Sequence, residues 1–107
     1  MTGATFTPSD LFNCCANGAV PDWSQFDALE IGGCIDDADD DMRERGETYT
    51  VGGIERDNAE FFTVYGHFRA DHGQGVEALT DCETFDKAQA VAAELSRMSG
   101  LPVHIHC

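Results

Sequence analysis

Apolar and polar positions follow a helical pattern most clearly near the C-terminus. Between residues 84 and 100, apolar side chains recur every three or four positions, which is the spacing of one helix face. These positions are Phe85, Ala88, Val91, Ala92, Leu95 and Met98. Thr84 precedes them as a residue suited to the N-cap, and Gly100 and Pro102 follow as stop signals. The pattern predicts a helix over residues 85–99.

Three segments before this helix have the composition of β-strands. Residues 60–69 are rich in aromatic and β-branched side chains, and residues 48–54 and 76–80 flank them beyond polar turns. After the helix, residues 103–105 can form one more short strand. These segments predict an α+β fold, in which a three-stranded antiparallel sheet is followed by a helix packed across it and a short last strand.

The aromatic strand over residues 60–69 carries apolar groups on both of its faces. We expect one face to pack on the C-terminal helix and the other to pack on the N-terminal segment, around Trp23 and Phe26. The alternative is that Phe61, Tyr65 or His67 forms an exposed contact patch.

The N-terminal part of the chain has a weaker pattern. A Thr-Pro pair at residues 7–8 is typical of a helix start, and we expect a short helix that ends near residue 16. Residues 21–30 predict a second short helix with Asp22 as its cap, and the glycine pair at residues 32–33 breaks it.

The length of 107 residues fits a single domain with one core. We expect a helical or irregular acidic segment over residues 1–46 and a β-β-β-α-β core over residues 47–107. The start of the sequence lacks the basic and apolar regions of a secretory signal, and the five cysteines are odd in number. Both features predict reduced thiols and a location in a cytoplasm.

The charge of the chain is its most unusual property. Twenty Asp and Glu oppose six Lys and Arg, which gives a net charge of −14. Such a field repels nucleic acid and anionic membranes and attracts basic protein surfaces. Because affinity for phosphates comes from Lys and Arg, direct binding of DNA or RNA is not expected.

Five aspartates lie within six consecutive residues, and we interpret them as the partner-binding patch. The predicted patch residues are Asp36, Asp37, Asp39, Asp40, Asp41 and Glu44, with Glu30, Glu47, Glu55 and Asp57 as extensions. A calcium loop of the EF-hand kind counted from Asp37 needs Gly at its sixth position and Glu at its twelfth, where Met42 and Thr48 stand instead. The run also suits a solvated helix start before Arg43 and Arg45, but so many like charges repel each other.

The remaining residues with chemical potential do not form a catalytic or metal-binding motif. His104, His106 and Cys107 resemble metal ligands, and Cys82 or His67 could complete a site, but the paired spacings of structural zinc sites are missing. Acidic residues flank Cys82, which opposes its activation as a nucleophile. We therefore predict no cofactor, no metal and no enzymatic activity.

Taken whole, the chain resembles the small acidic inhibitors encoded by phages and mobile elements, including anti-CRISPR and antirestriction proteins. The features that carry this resemblance are the short length, the charge, the aspartate run and the sheet-plus-helix unit. The resemblance implies a DNA mimic that blocks the basic surface of a nucleic-acid-binding complex such as a CRISPR effector. Alternatives are a cytoplasmic adaptor or housekeeping domain whose charge serves solubility, an adaptation to high salt, or a small enzyme or metal-binding protein that uses His104, His106 and cysteines.

Overall fold

The computed structural model describes residues 6–107, which form a mixed sheet with one long helix across it. The strands are β1 (Phe26–Asp36), β2 (Thr50–Ile54), β3 (Phe61–Phe68), β4 (Val76–Cys82) and β5 (Val103–Ile105). The α-helices are α1 (Pro8–Leu11), α2 (Asp40–Glu44) and α3 (Phe85–Ser99). Single 3-10 turns occupy Ala16–Gly18, Trp23–Gln25 and Arg56–Asn58. None of the described helices is long and apolar enough to cross a membrane.

β1 is the central strand of the sheet. β3 pairs antiparallel along one edge of β1, and β4 pairs antiparallel with β3. Two strands share the other edge of β1: β5 pairs parallel with its first half, and β2 pairs antiparallel with its second half. The strand order is thus β2-β1-β3-β4, with β5 beside β1. This architecture confirms the α+β class, the helix across the sheet and the short last strand. The sheet has five strands rather than a three-stranded antiparallel unit, because β1 lies at its centre, between β2 and β3, and β5 pairs with it.

The predicted helix over residues 21–30 is wrong. Asp22 does accept a hydrogen bond as a cap, but the turn that it starts ends at Gln25, and Phe26 opens β1. An irregularity in pairing between Phe26 and Ala28 hides the two-residue alternation of this strand at its start. The division of the chain at residue 46 is therefore also wrong, because the central strand of the core lies before it.

The glycine pair at residues 32–33 lies inside β1 instead of ending a helix. A side chain at Gly33 would place its first carbon 2.3 Å from the backbone carbonyl oxygen of Ile54 in β2. Only glycine allows so close an approach between the two strands. The pair was a signal of strand packing rather than of a break.

α3 has the boundaries that the sequence predicts, and four of the six positions on its predicted apolar face are buried, whereas Met98 is exposed. The Thr84 hydroxyl accepts a hydrogen bond from the Lys87 amide over 3.1 Å, and Gly100 ends the helix in the left-handed conformation with φ of 77°. Leu95 is fully buried. The buried face of the helix consists of Ala88, Val91, Ala92 and Leu95. It packs against buried side chains of the sheet, including Leu29, Ile31, Phe62, Val64 and Leu79.

The N-terminal segment packs into the same core as α3, so its expected place on the opposite face of the sheet is wrong. Thr7 caps α1 as predicted, in a reciprocal pair with Asp10. The helix ends at Leu11, earlier than expected, because the chain then turns to the edge of β4. There the Cys14 amide donates to the Leu79 carbonyl over 3.0 Å. Phe12 is buried and packs against Trp23, with ring centroids 6.2 Å apart and ring planes tilted by 52°.

Candidate functional site

The aspartate run connects β1 to α2 and begins that helix. Oδ1 of Asp39 accepts a hydrogen bond from the Met42 amide over 2.8 Å, which makes Asp39 the N-cap. Asp40 and Asp41 lie in the first turn, where negative charge interacts favourably with the helix dipole. The interpretation of the run as a solvated helix start is confirmed, and it accounts for part of the charge.

Asp36 is used to shape the backbone between β1 and β2. Its Oδ1 accepts hydrogen bonds from the amides of Tyr49 and Ala38, over 3.0 and 3.1 Å. These two donors hold the pKa of the Asp36 carboxyl below its ordinary value, because they favour the charged form. The carboxylate is thus engaged within the protein, although it belongs to the predicted patch.

Four other predicted patch residues have carboxylates that accept no hydrogen bonds from nearby backbone amides and are exposed to solvent. They are Asp37, Asp40, Asp41 and Glu44, and we refer to these four residues as the acidic patch. Arg43, beside them, directs its Nε to the carbonyl oxygen of Ala38 over 2.9 Å. Arg45 forms an ion pair with Glu47 over 3.0 Å. Neither arginine therefore pairs with the acidic patch.

Few of the acidic side chains are neutralised by a basic partner. Four ion pairs with Lys or Arg occur in residues 6–107, a range that contains every charged side chain of the protein: Arg45–Glu47, Arg69–Asp71, Lys87–Asp10 and Arg97–Glu94. With twenty Asp and Glu in the chain, sixteen acidic side chains lack such a partner. Among the predicted extensions of the patch, Glu55 and Asp57 are exposed, and Glu30 lies elsewhere on the sheet.

The face of the sheet that points away from α3 carries a chain of polar side chains. Thr63 is buried on this face, and its hydroxyl donates to Oδ1 of Asp81 over 2.6 Å. Sγ of Cys34 lies 3.3 Å from Oγ1 of Thr63 and 3.3 Å from the hydroxyl of Tyr65. Since the Thr63 proton is directed to the carboxylate, the Cys34 thiol donates to Thr63 and the Tyr65 hydroxyl donates to Cys34. This series of hydrogen bonds therefore fixes the position of the Tyr65 ring.

The Tyr65 ring lies against Gly32 of the neighbouring strand. A side-chain carbon built at Gly32 would approach Cε2 of Tyr65 to 3.1 Å, so the ring needs glycine at this position. Partial burial, together with the neighbouring Cys34, raises the pKa of the Tyr65 hydroxyl above its ordinary value. The phenol stays protonated at neutral pH and presents a neutral aromatic ring.

A cleft of about 290 Å³ opens beside this ring, between β1, β2 and the end of β5. Its lining includes Glu30, Gly32, Gly52, Tyr65 and His106. Oε2 of Glu30 lies 3.7 Å from Nε2 of His106, which exceeds hydrogen-bond distance. The side chain of Glu30 is only 21 % exposed, so a partly desolvated carboxylate stands in the cleft.

The residues predicted for an exposed aromatic patch share this same face. Phe61, Tyr65 and His67 are each partly exposed. Nδ1 of His67 lies 2.7 Å from Oδ1 of Asp27, so His67 is held by a carboxylate. Tyr65 is the residue of the three that lines the cleft.

The structure does not assemble the metal and nucleophile candidates into a site. His104 and His106 are exposed, with ring centroids 6.4 Å apart. Among residues 6–107, no three His, Cys, Asp or Glu side chains are grouped as ligands for a metal ion. Cys82 is buried, and burial raises the pKa of its thiol to about 11, so it is a thiol and a poor nucleophile at neutral pH.

Sequence reasoning missed the cleft because it assigned residues 21–30 to a helix. A two-residue alternation does exist from Leu29 onward, with Leu29 and Ile31 on the α3 face and Glu30 and Cys34 on the other. Reading that alternation across the glycine pair would have revealed the strand.

Comparison with known proteins gives no relative from which a role could be transferred. No protein-family model matches the chain. No curated protein matches it. No solved structure matches it either, so the fold and the site stand on their own geometry.

Proposed function

We propose that this protein is a non-enzymatic inhibitor that binds a basic surface of a nucleic-acid-binding host defence complex, of which a CRISPR effector is the first example to test. The observation that supports this proposal is that sixteen of its twenty acidic side chains lack a Lys or Arg ion-pair partner within the protein. A chain that neutralises so little of its own charge has a strong negative field. Basic grooves that bind nucleic-acid phosphates are complementary to that field.

The acidic patch is the part of this field that we propose makes the contact. Within it, Glu44 is four positions from Asp40 and three from Asp41 on α2, which places its side chain about 5–6 Å from each of the two aspartates. Each phosphate along a DNA strand rises about 3.4 Å along the axis. An array of exposed carboxylates at this density can form ion pairs with the cationic side chains that otherwise bind phosphates.

Clustering separates this function from the alternative in which the charge serves only solubility. Scattered acids are sufficient for solubility, whereas residues 36–47 contain seven acids and two arginines. Two of those acids, Asp36 and Asp39, are used for local structure. Three of the exposed remainder, Asp40, Asp41 and Glu44, lie on one short helix, and like charges this close repel each other at a cost to stability.

The proposal is tested by neutralising the acidic patch without touching Asp36 and Asp39. The patch variant carries Asp37→Asn, Asp40→Asn, Asp41→Asn and Glu44→Gln. The control variant carries Asp71→Asn, Glu77→Gln, Glu83→Gln and Asp86→Asn, which removes the same amount of charge from other exposed positions. The measurement is the association rate of each protein with purified CRISPR effector complexes at several salt concentrations.

We expect the patch variant to associate about tenfold or more slowly than the parent, because electrostatic steering supplies rate factors of this size. The control variant should lose less, and its remaining rate should still fall with salt. Equal rates for the two variants would mean that net charge alone is responsible. An association that is unaffected in both variants would contradict the proposal.

A further inference from the structure

We infer that the cleft beside Tyr65 binds a guanidinium group, supplied by an arginine side chain of a protein partner. This inference rests on the proposed function for the source of the arginine, since a basic partner surface presents such side chains. It concerns a different part of the molecule from the acidic patch, because the cleft is lined by β1, β2, Tyr65 of β3, Val76 of β4 and His106, which follows β5.

The size of the cleft selects a single side chain. Pockets for whole organic ligands usually measure about 300–1,000 Å³. At about 290 Å³, this cleft is just below that range and has room for one long side chain or a comparably small molecule.

The charge of the cleft selects a cation. Glu30 projects from the centre of β1, and its side chain is 79 % shielded from solvent, since it is 21 % exposed. In residues 6–107, no Lys or Arg forms an ion pair with Glu30. The exposed His106 ring lies 3.7 Å from the Glu30 carboxylate, which is within ion-pair distance but too far for a hydrogen bond. A carboxylate that is partly desolvated and has no strong partner gains most from a charged donor.

The shape of the walls selects a planar cation. The Tyr65 ring lies against Gly32, held there by the Tyr65–Cys34–Thr63–Asp81 hydrogen-bond chain. On β2, a side-chain carbon built at Gly52 would be 3.5 Å from the Tyr65 hydroxyl. Because both Gly32 and Gly52 lack side chains, neither covers the surface next to the Tyr65 ring. A guanidinium is flat, stacks on aromatic rings and pairs with a carboxylate through two parallel hydrogen bonds, whereas an ammonium does neither as well.

Glu30 and Tyr65 are also placed to act together. They are directly opposite each other in the antiparallel pair of β1 and β3, so their side chains leave the same face of the sheet as neighbours. A guanidinium stacked on the ring would thus meet the carboxylate at its edge. This combination of groups is the geometric basis of the inference.

The test is an NMR titration of the full chain with N-acetyl-arginine methylamide as the probe. We expect saturable shifts at the backbone amides of Gly32, Gly52 and Tyr65. The citrulline analogue has the same shape without the charge, and it should bind about tenfold or more weakly because it forms no charge-assisted hydrogen bond. The lysine analogue should also bind more weakly than the arginine probe.

Two variants locate the binding within the cleft. Glu30→Gln keeps the side-chain shape and should weaken binding of the arginine probe about tenfold or more. Asp86→Asn removes the same charge from α3, on the other side of the sheet, and should leave the affinity within about twofold. Absence of shifts at the cleft amides, equal binding of the citrulline or lysine analogue, or an unchanged affinity in Glu30→Gln would each overturn the inference.

The source of the guanidinium is tested separately by comparing free arginine with arginine inside a glycine pentapeptide. Binding of the peptide as tight as that of the probe supports a protein partner, whereas binding of free arginine alone overturns it. Because these probes are small, the result is independent of whether the acidic patch binds an effector complex. A failed titration would leave the proposed binding of an effector complex intact. A failure to inhibit that complex would leave the proposed guanidinium site intact.

Discussion

Asp36 shows how one carboxylate in a dense acidic run can be reserved for structure. It accepts two backbone hydrogen bonds, from Tyr49 and Ala38, and thereby joins the end of β1 to the start of β2. Its neighbour Asp37 is exposed and has a backbone bond to Tyr49 but no local role for its carboxylate. Residues with the same side chain, one position apart, therefore differ in purpose.

Asp36→Asn should lower the melting temperature more than Asp37→Asn does. The folded protein holds the pKa of Asp36 below its unfolded value, so the charged carboxylate stabilises the fold. This contribution is fully present above the unfolded pKa of about 3.9 and is lost as the pH falls through the folded pKa. Thermal unfolding of both variants between pH 7 and pH 3 checks this, since the deficit of Asp36→Asn should shrink at the acid end. Equal melting temperatures at pH 7 would show that the charge of the Asp36 carboxylate contributes nothing, since the amide oxygen of asparagine can accept the same two hydrogen bonds.

Gly33→Ala should destabilise the protein by about 1–3 kcal/mol or more, because the added methyl group meets a backbone carbonyl that cannot rotate away. Gly52→Ala is the matched control, since its methyl group makes only an ordinary contact with Tyr65. We expect the control to change the free energy of unfolding by less than about 0.5 kcal/mol. Urea denaturation of the two variants gives this comparison, and equal effects would contradict the tight approach of β2 to β1.

Some elements of this fold are specified by residues within their own segment, and others by pairing with distant segments. The sequence predicted α3, which is of the first kind, and missed β1, which is of the second. α3 has its cap, its periodic apolar face and its stop signals within residues 84–102, so its boundaries were predictable. β1 is specified by pairing with three strands that are distant in sequence, and its irregular start hides the alternation. The cleft lies where β1 meets β2 and β5, so it could not be predicted without that strand. The aspartate run is visible in the sequence as a cluster. The sequence did not separate Asp36 and Asp39, which stabilise local structure, from the exposed residues of the acidic patch.

Leu95→Ala tests the packing of α3 on the sheet. Leu95 is fully buried in the core, so its truncation should cost about 2–5 kcal/mol in the free energy of unfolding. Met98 on the same helix is 38 % exposed, and Met98→Ala should cost less than about 1 kcal/mol. Chemical denaturation measures both values. A loss in Leu95→Ala as small as that in Met98→Ala would mean that the helix does not cover the core as described.

At the scale of the whole molecule, the charged side chains and the hydrophobic core lie in different places. The core is one hydrophobic cluster shared by α1, α3 and the sheet, and most charged side chains remain outside it. The two proposed contact sites, the acidic patch and the cleft, therefore contribute little to the packing of the core. This separation is the physical basis for expecting that charge variants fold normally while their binding changes.

The most direct test of the central claim is displacement of DNA from a purified CRISPR effector complex by this protein. Fluorescent DNA is bound to the complex, the protein is titrated in, and the anisotropy is followed at low and at high salt. We predict displacement that is complete near one protein per DNA-binding surface. Binding of the labelled protein to the DNA-free complex should weaken as salt rises, since it depends on charge. Retention of DNA in a ternary complex, or binding to the DNA-free complex that is indifferent to salt, would contradict the account.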